Sequence, residues 1–224
     1  LLYLRTIFLM LITLYTSRVI LDQLGVDDYG IYNVVGGFVA MFSVISSALS
    51  SSISRFITFE LGRGDIKRLT TIFSTSVNIQ LGLCFIILVL GEAIGIWFVN
   101  TRMNIPPDRI IAANWVFQCS ILTFCINLIS VPYNSCIIAH EKMSAFAYIS
   151  ILEAALKLLI CYMLIVSPVD KLIAYSLLML FVAMLIRFVY GMYCTHNFEE
   201  CKYRICYEKE IVKEMTGFAG WSFF

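Results

Sequence analysis

The chain has 224 residues, 60% of them hydrophobic and only 14% charged, with a mean hydropathy of +0.88. So few charges cannot cover that much apolar surface in water, which excludes a soluble globular fold. A net charge of +1 gives no basis for a nucleic-acid partner.

A helix needs about 20 mostly apolar residues to cross the hydrocarbon layer. Residues 1–21, 34–57, 72–99, 110–139, 143–166 and 172–194 each reach that length, and a seventh run starts at 215. The pattern predicts an all-α membrane protein, a polytopic transmembrane helical bundle whose short connections make consecutive helices antiparallel neighbours. Both ends of the chain fall inside apolar runs, so it is expected to be part of a longer protein. Residues 1–21 contain Arg5 and Arg18 and no small-residue cleavage site, which is unlike a signal peptide.

Polar groups inside these stretches are costly, about 2.5–3.5 kcal/mol for a mid-helix Arg, Lys or Asp, so each one asks for a partner or a wet cavity. In the first stretch Arg5 and Arg18 are 13 residues apart, on nearly opposite faces, and Arg18 precedes Asp22 by one turn. The connection after it is acidic, and Asp27-Asp28-Tyr29-Gly30 is turn chemistry. The second stretch carries Ser43, Ser47, Ser50 and Ser54 on one face, with Arg55 at its foot. That stripe reads equally as close helix packing or as a wettable wall. Gly62-Arg63-Gly64-Asp65 ends this helix.

The third stretch repeats the spacing with Thr71, Thr75, Asn78 and Gly82, and Glu92 lies roughly in line beyond them. Glu92 either reaches the interface or forms a proton or cation site. The fourth places Asn114 and Gln118 one turn apart and holds Pro132, where a kink is expected. In the fifth, Ser150, Glu153 and Lys157 share a face, with Glu153 and Lys157 an i, i+4 pair in the favourable order. The pair is either a structural ion pair or a cavity lysine tuned by its neighbour. The sixth carries Arg187, with Tyr190 and Cys194 continuing its face; it lines a cavity or snorkels. Arg5, Arg18, Arg55, Lys157 and Arg187 outnumber Glu92 and Glu153, which predicts a cationic interior suited to an anionic substrate.

No metal, cofactor or catalytic site is expected. Cys194, His196, Cys201 and Cys206 cluster after the sixth stretch without zinc-site spacing, and the other cysteines lie in apolar segments. No phosphate-binding glycine loop occurs, and His140-Glu141 lacks the second His of a zinc protease motif. Lys and Arg concentrate in the second and sixth connections (Arg63, Lys67, Arg68; Lys202, Arg204, Lys209, Lys213), which predicts that the even connections and the N-terminus are cytoplasmic.

Residues 24–32, Leu-Gly-Val-Asp-Asp-Tyr-Gly-Ile-Tyr, resemble the L-G-x-x-x-Y-G-x-Y turn after the first helix of bacterial polysaccharide and O-antigen flippases. Arg55-Phe56 and Glu60–Asp65 resemble that family's second-helix exit. Val131-Pro132-Tyr133-Asn134, Ala139–Met143 and Phe146-Ala147-Tyr148 resemble the Bacteroides-type version, and Glu214–Trp221 the start of its seventh helix. The resemblance implies the multidrug/oligosaccharidyl-lipid/polysaccharide exporter superfamily. Residues 1–195 would be the six-helix N-terminal lobe of a two-lobe exporter, 196–213 a cytoplasmic linker and 214–224 the start of the second lobe. It implies a bacterial inner-membrane transporter, not an enzyme. Such a protein moves undecaprenyl-diphosphate-linked oligosaccharide across the membrane by alternating access, beside polysaccharide polymerase and glycosyltransferases. Arg5, Arg18, Arg55, Lys157, Arg187, Asn78 and Gln118 are the cavity candidates, and Glu92 and Glu153 the ion-coupling candidates. Two rivals are a cation-coupled multidrug exporter of the same superfamily, which favours acidic cavity residues, and a membrane-embedded glycan polymerase or acyltransferase, which needs a large outer loop.

Overall fold

The computed structural model describes residues 2–101, 103, 105–166, 170–203, 211–215 and 217; the side chains of 2–5, 45, 100 and 166 lie outside the description. The chain is an all-α, membrane-embedded helical bundle. Helix α1 spans Leu2–Ala40, α2 Ser43–Arg63, α3 Ile66–Leu90, α4 Ile96–Thr101, α5 Ile110–Ala139, α6 Met143–Val166 and α7 Lys171–Asn197. A π-helical turn, Gly91–Gly95, joins α3 to α4, and single 3₁₀ turns cover Pro107–Arg109 and Glu199–Cys201. Among the described residues five segments are long and apolar enough to cross a membrane: Thr6–Ala40, Ile66–Val99, Pro107–Ala139, Met143–Ile165 and Lys171–Asn197. Large apolar side chains are exposed, Phe85 at 70%, Ile111 at 71% and Phe188 at 69%, while Ser74, Thr75, Ser76 and Gln80 are fully buried. That inversion suits a hydrocarbon solvent.

The helix ends differ from the sequence expectation in two places. Asp27–Gly30 is helical; the chain turns at Gly25, whose φ of 79° and ψ of 171° separate residues 2–24 from 26–40. Glycine alone adopts that backbone without strain. The stretch 34–57 is not one helix. It breaks at Met41 and Phe42, after Gly36 and Gly37 and before a run of residues with seven serines in α2, whose hydroxyls compete for backbone groups. Those serines also keep α2 out of the set of apolar spans. Pro132 lies inside a continuous α5. Gly64 does close α2 as expected, in the left-handed conformation (φ 74°), donating its N–H to the carbonyls of Glu60 and Leu61 at 3.2 Å. Asp65 then accepts from the Arg68 N–H at 3.1 Å and starts α3. Beyond it, residues 211–215 are helical, and the remainder of the expected seventh helix lies almost wholly outside the described residues.

The chain forms two compact units. The first comprises Leu1–Met41, Ile87–Phe124 and Ala147–Ile186. It gathers the first, third and fifth connections. Arg109 binds Asp28 at 3.2 Å and Asp170 at 2.5 Å, so one guanidinium ties all three connections together. Lys171 adds a bond to Gln23 at 3.1 Å. The π-turn also packs tightly here: a Cβ on Gly95 would overlap the Phe117 ring, which itself lies in a cluster with Phe38 and Phe98. The close approach explains both the glycine and the locally widened helix.

The second unit comprises Phe42–Ile86, Cys125–Phe146 and Arg187–Phe224. It gathers the second, fourth and sixth connections. His140 stacks on Phe198 with centroids 4.1 Å apart and pairs through Nε2 with the buried Glu200. Met215 is held by Ser52, which donates to its carbonyl at 2.9 Å, and by the Ser76 hydroxyl on its sulfur at 3.9 Å.

Removing the Arg109 guanidinium strands Asp28, whose side chain is 9% exposed. Arg109→Ala is expected to cost about 1–3 kcal/mol, and Arg109→Lys less, because a single ammonium keeps the charge but not the fork. Thermal unfolding in detergent measures both.

Candidate functional site

Hydroxyl residues of the first apolar stretch, absent from the sequence expectation, meet the polar face of the fifth within the first unit. Thr13, Thr16 and Ser17 of α1, Ser150, Glu153 and Lys157 of α6, and Tyr175 of α7 line a cleft of about 350 Å³. Its remaining wall is apolar, from Leu9, Ile12, Ile20 and Ala154. The volume falls within the range of roughly 300–1,000 Å³ usual for small-molecule sites.

Helical spacing builds each wall. Ser150, Glu153 and Lys157 recur at i, i+3 and i+7 and so share one side of α6. Glu153 and Lys157 are the eleventh and fifteenth residues of a 24-residue helix, at its middle. Glu153 Oε1 accepts from Lys157 Nζ at 2.7 Å, with 37% and 40% of the two side chains exposed. On α1 the hydroxyl protons are committed: Thr13 donates to the Leu9 carbonyl at 2.8 Å, Thr16 to Ile12 at 2.6 Å and Ser17 to Thr13 at 2.8 Å. Their oxygens therefore face the cleft as acceptors. Tyr175 is 6% exposed and meets Tyr32 edge to face at 4.8 Å, fixing α7 against α1. The arrangement offers one exchangeable charge pair beside a row of acceptors, which is chemistry suited to recognition.

The expected site residues separate in the structure. Of the cavity candidates, Lys157 lines this cleft, and Glu153 does so from the coupling pair. Both readings of the pair hold at once: it is an ion pair, and it faces a cavity. Arg18 is exposed on α1, Gln118 is half-buried on α5, and Arg5's side chain lies outside the described residues. Glu92 is exposed on the π-turn. Arg55 is exposed on α2 in the second unit. This cleft contains one of the five expected cations, Lys157, matched by one anion, Glu153.

In the second unit Arg187 is half-buried and does not line this cleft. Its guanidinium lies 3.9 Å from the centroid of the buried Tyr133 ring, whose other contact is edge-on with Phe73 at 5.1 Å. Asn78 accepts from the Tyr203 hydroxyl at 2.7 Å, a tie to the linker that no spacing rule indicates. The serine stripe divides: Ser54 bonds Ser135 across helices at 2.9 Å, while Ser43 and Ser47 are exposed. Gln80 was missed by the stripe analysis. It is fully buried, and neither amide atom has a hydrogen-bond partner among the described residues, as is also true of the Thr75 hydroxyl. Its signal was the polar-rich sequence from Ser74 to Gln80, in which five of seven residues are polar. Cys194 and Cys201 are buried thiols, His196 is exposed and Cys206 lies outside the description; among the described residues no His, Cys and carboxylate group is arranged for a metal.

A second cleft of the first unit, about 510 Å³, is lined by residues around the Gly25 turn and by Phe98, Met103, Ile105 and Pro106, with Asp27 its one charged residue. Comparison with protein-family models, curated proteins and solved structures gave no match to this chain.

The Arg187 contact is testable. Tyr133→Leu removes the ring face from the guanidinium and is expected to cost about 2–3 kcal/mol. Tyr133→Phe keeps the face and most of the stability. Denaturation followed by near-UV circular dichroism distinguishes the two.

Proposed function

We propose that the chain is the N-terminal lobe of a bacterial inner-membrane flippase that moves undecaprenyl-diphosphate-linked oligosaccharide across the membrane by alternating access. The observation that carries this reading is the cleft of α1, α6 and α7: an ammonium and a row of hydroxyls halfway along membrane-length helices. A lipid-linked glycan needs those elements. Its hydroxyls require polar partners at membrane depth, its diphosphate requires cations, and its polyprenyl tail can remain in lipid. The resemblance of residues 24–32, 55–65 and 131–148 to the flippase family supports the same reading.

Orientation follows from charge. Ten of the sixteen Lys and Arg residues belong to the second unit, with the second, fourth and sixth connections. The positive-inside tendency favours a cytoplasmic position for those connections and for the N-terminus. The family resemblance makes Arg18 and Arg55, each exposed on its own helix, further candidate cations, and Glu92 and Glu153 candidates for ion coupling.

A cation-coupled drug exporter of the same superfamily is the second reading. One observation favours it: Glu153 neutralises Lys157, so the cleft carries no excess positive charge. Cells decide between the two. Deletion of the gene is expected to accumulate complete lipid-linked oligosaccharide and abolish surface glycan. Intact surface glycan with altered drug tolerance would instead support the exporter. In the full-length protein, Arg55→Gln with Lys157→Gln is expected to reduce glycan export about tenfold or more while membrane insertion is retained, as for loss of charged groups that contact a bound anion.

A further inference from the structure

We infer that the α1–α6–α7 cleft binds a single carboxylate-bearing sugar residue, a hexuronate, and that Glu153 is an internal competitor holding the place of the ligand's carboxylate on Lys157. The inference rests on the proposed transport of glycan and specifies which sugar this cleft selects.

The charge pair sets the first requirement. An ammonium at mid-helix depth needs an anionic partner. Glu153 Oε1 fills that role at 2.7 Å. A neutral ligand cannot take Glu153's place without stranding the ammonium, whereas a ligand bringing its own carboxylate exchanges like for like. Glu153, with 37% of its side chain exposed, has room to turn away once replaced.

The opposite wall sets the second requirement. Thr13, Thr16 and Ser17 have each given their proton to the carbonyl one turn back, at 2.6–2.8 Å. What remains toward the cleft is acceptor oxygen. Chloride or acetate has no donor to offer such a wall, and a dianion such as hydrogen phosphate is repelled by it. A sugar acid has both halves of the match: a carboxylate for Lys157 and several O–H donors for the threonine and serine oxygens. The size sets the third requirement, since about 350 Å³ is near the lower end of ligand clefts and holds one sugar, not a repeat unit.

Equilibrium binding of radiolabelled D-glucuronate to the protein in nanodiscs tests this, with D-glucose and acetate as probes lacking the charge or the hydroxyls. Glucuronate is expected to bind about tenfold or more tightly than either, the usual effect of an unmatched buried polar group. Lys157→Gln is expected to weaken glucuronate by about tenfold, and Glu153→Gln, which removes the competitor, to strengthen it several-fold. The gain in Glu153→Gln cannot arise from misfolding. Equal binding of glucose overturns the role of Lys157, equal binding of acetate overturns the role of the hydroxyl wall, and weakening by Glu153→Gln overturns the competitor. Absence of glucuronate binding by protein that still exports glycan in cells overturns this inference alone. Glucuronate binding with the expected signs, in a protein whose deletion leaves surface glycan intact, upholds it and removes only the flippase reading.

Discussion

Hydrocarbon supplies no hydrogen bonds, so polar groups within the spans look to the chain itself for partners; Gln80 and the Thr75 hydroxyl, with none among the described residues, are exceptions. That constraint organises the structure more than any apolar contact does. It explains why hydroxyls on five of the helices turn back onto carbonyls one turn earlier: Thr13, Thr16 and Ser17 in α1, Thr58 in α2, Thr70, Thr71 and Ser76 in α3, Ser130 in α5 and Thr195 in α7. A back-bonded hydroxyl is no longer a donor. A wall of them is therefore both tolerable in lipid and selective for ligands that bring their own protons.

The same constraint sorts the charges by how they are neutralised. Arg109 has two carboxylates, Asp28 and Asp170, each on a different connection. Its planar fork can satisfy both at once, which a lysine cannot. Arg187 has a ring instead of a carboxylate, and Tyr133 brings the guanidinium charge an aromatic face without adding a second ion to be desolvated. Lys157 has one carboxylate from its own helix and an open cleft beside it. Of the three cations, Lys157 is the one that lines the α1–α6–α7 cleft.

Element type was legible from the apolar runs, because a 20-residue span leaves little choice but helix; the number of spans was not, since the serine-rich α2 is absent from the five apolar spans of the described residues. Boundaries were also less legible. Asp27–Gly30 has turn composition yet is helical, since Gly25 two residues earlier can adopt a φ of 79° and takes the kink. The break at Met41 and Phe42 falls inside an apolar run with no proline to mark it. The Glu153–Lys157 pair was readable, being local at i, i+4. The partners of Arg109 and Arg187 were not: Asp28 lies 81 residues from Arg109, and Tyr133 lies 54 from Arg187, and no periodicity spans such separations. Gln80 escaped because stripe-seeking rewards a shared face, and a single buried amide has none.

The contrast between Arg109 and Lys157 carries a final step. Counting intramembrane cations predicted a positive interior, but a count treats every cation as available. Burial and partner geometry decide availability. A cation bound by two carboxylates on separate connections loses several bonds at once if one is displaced, so it serves the fold. A cation bound by one carboxylate four residues away on the same helix loses a single contact, and the partner stays tethered nearby to reclaim it. Reversible binding favours the second arrangement: the internal carboxylate keeps the ligand-free lysine from being stranded, and it sets a threshold that an entering anion must exceed.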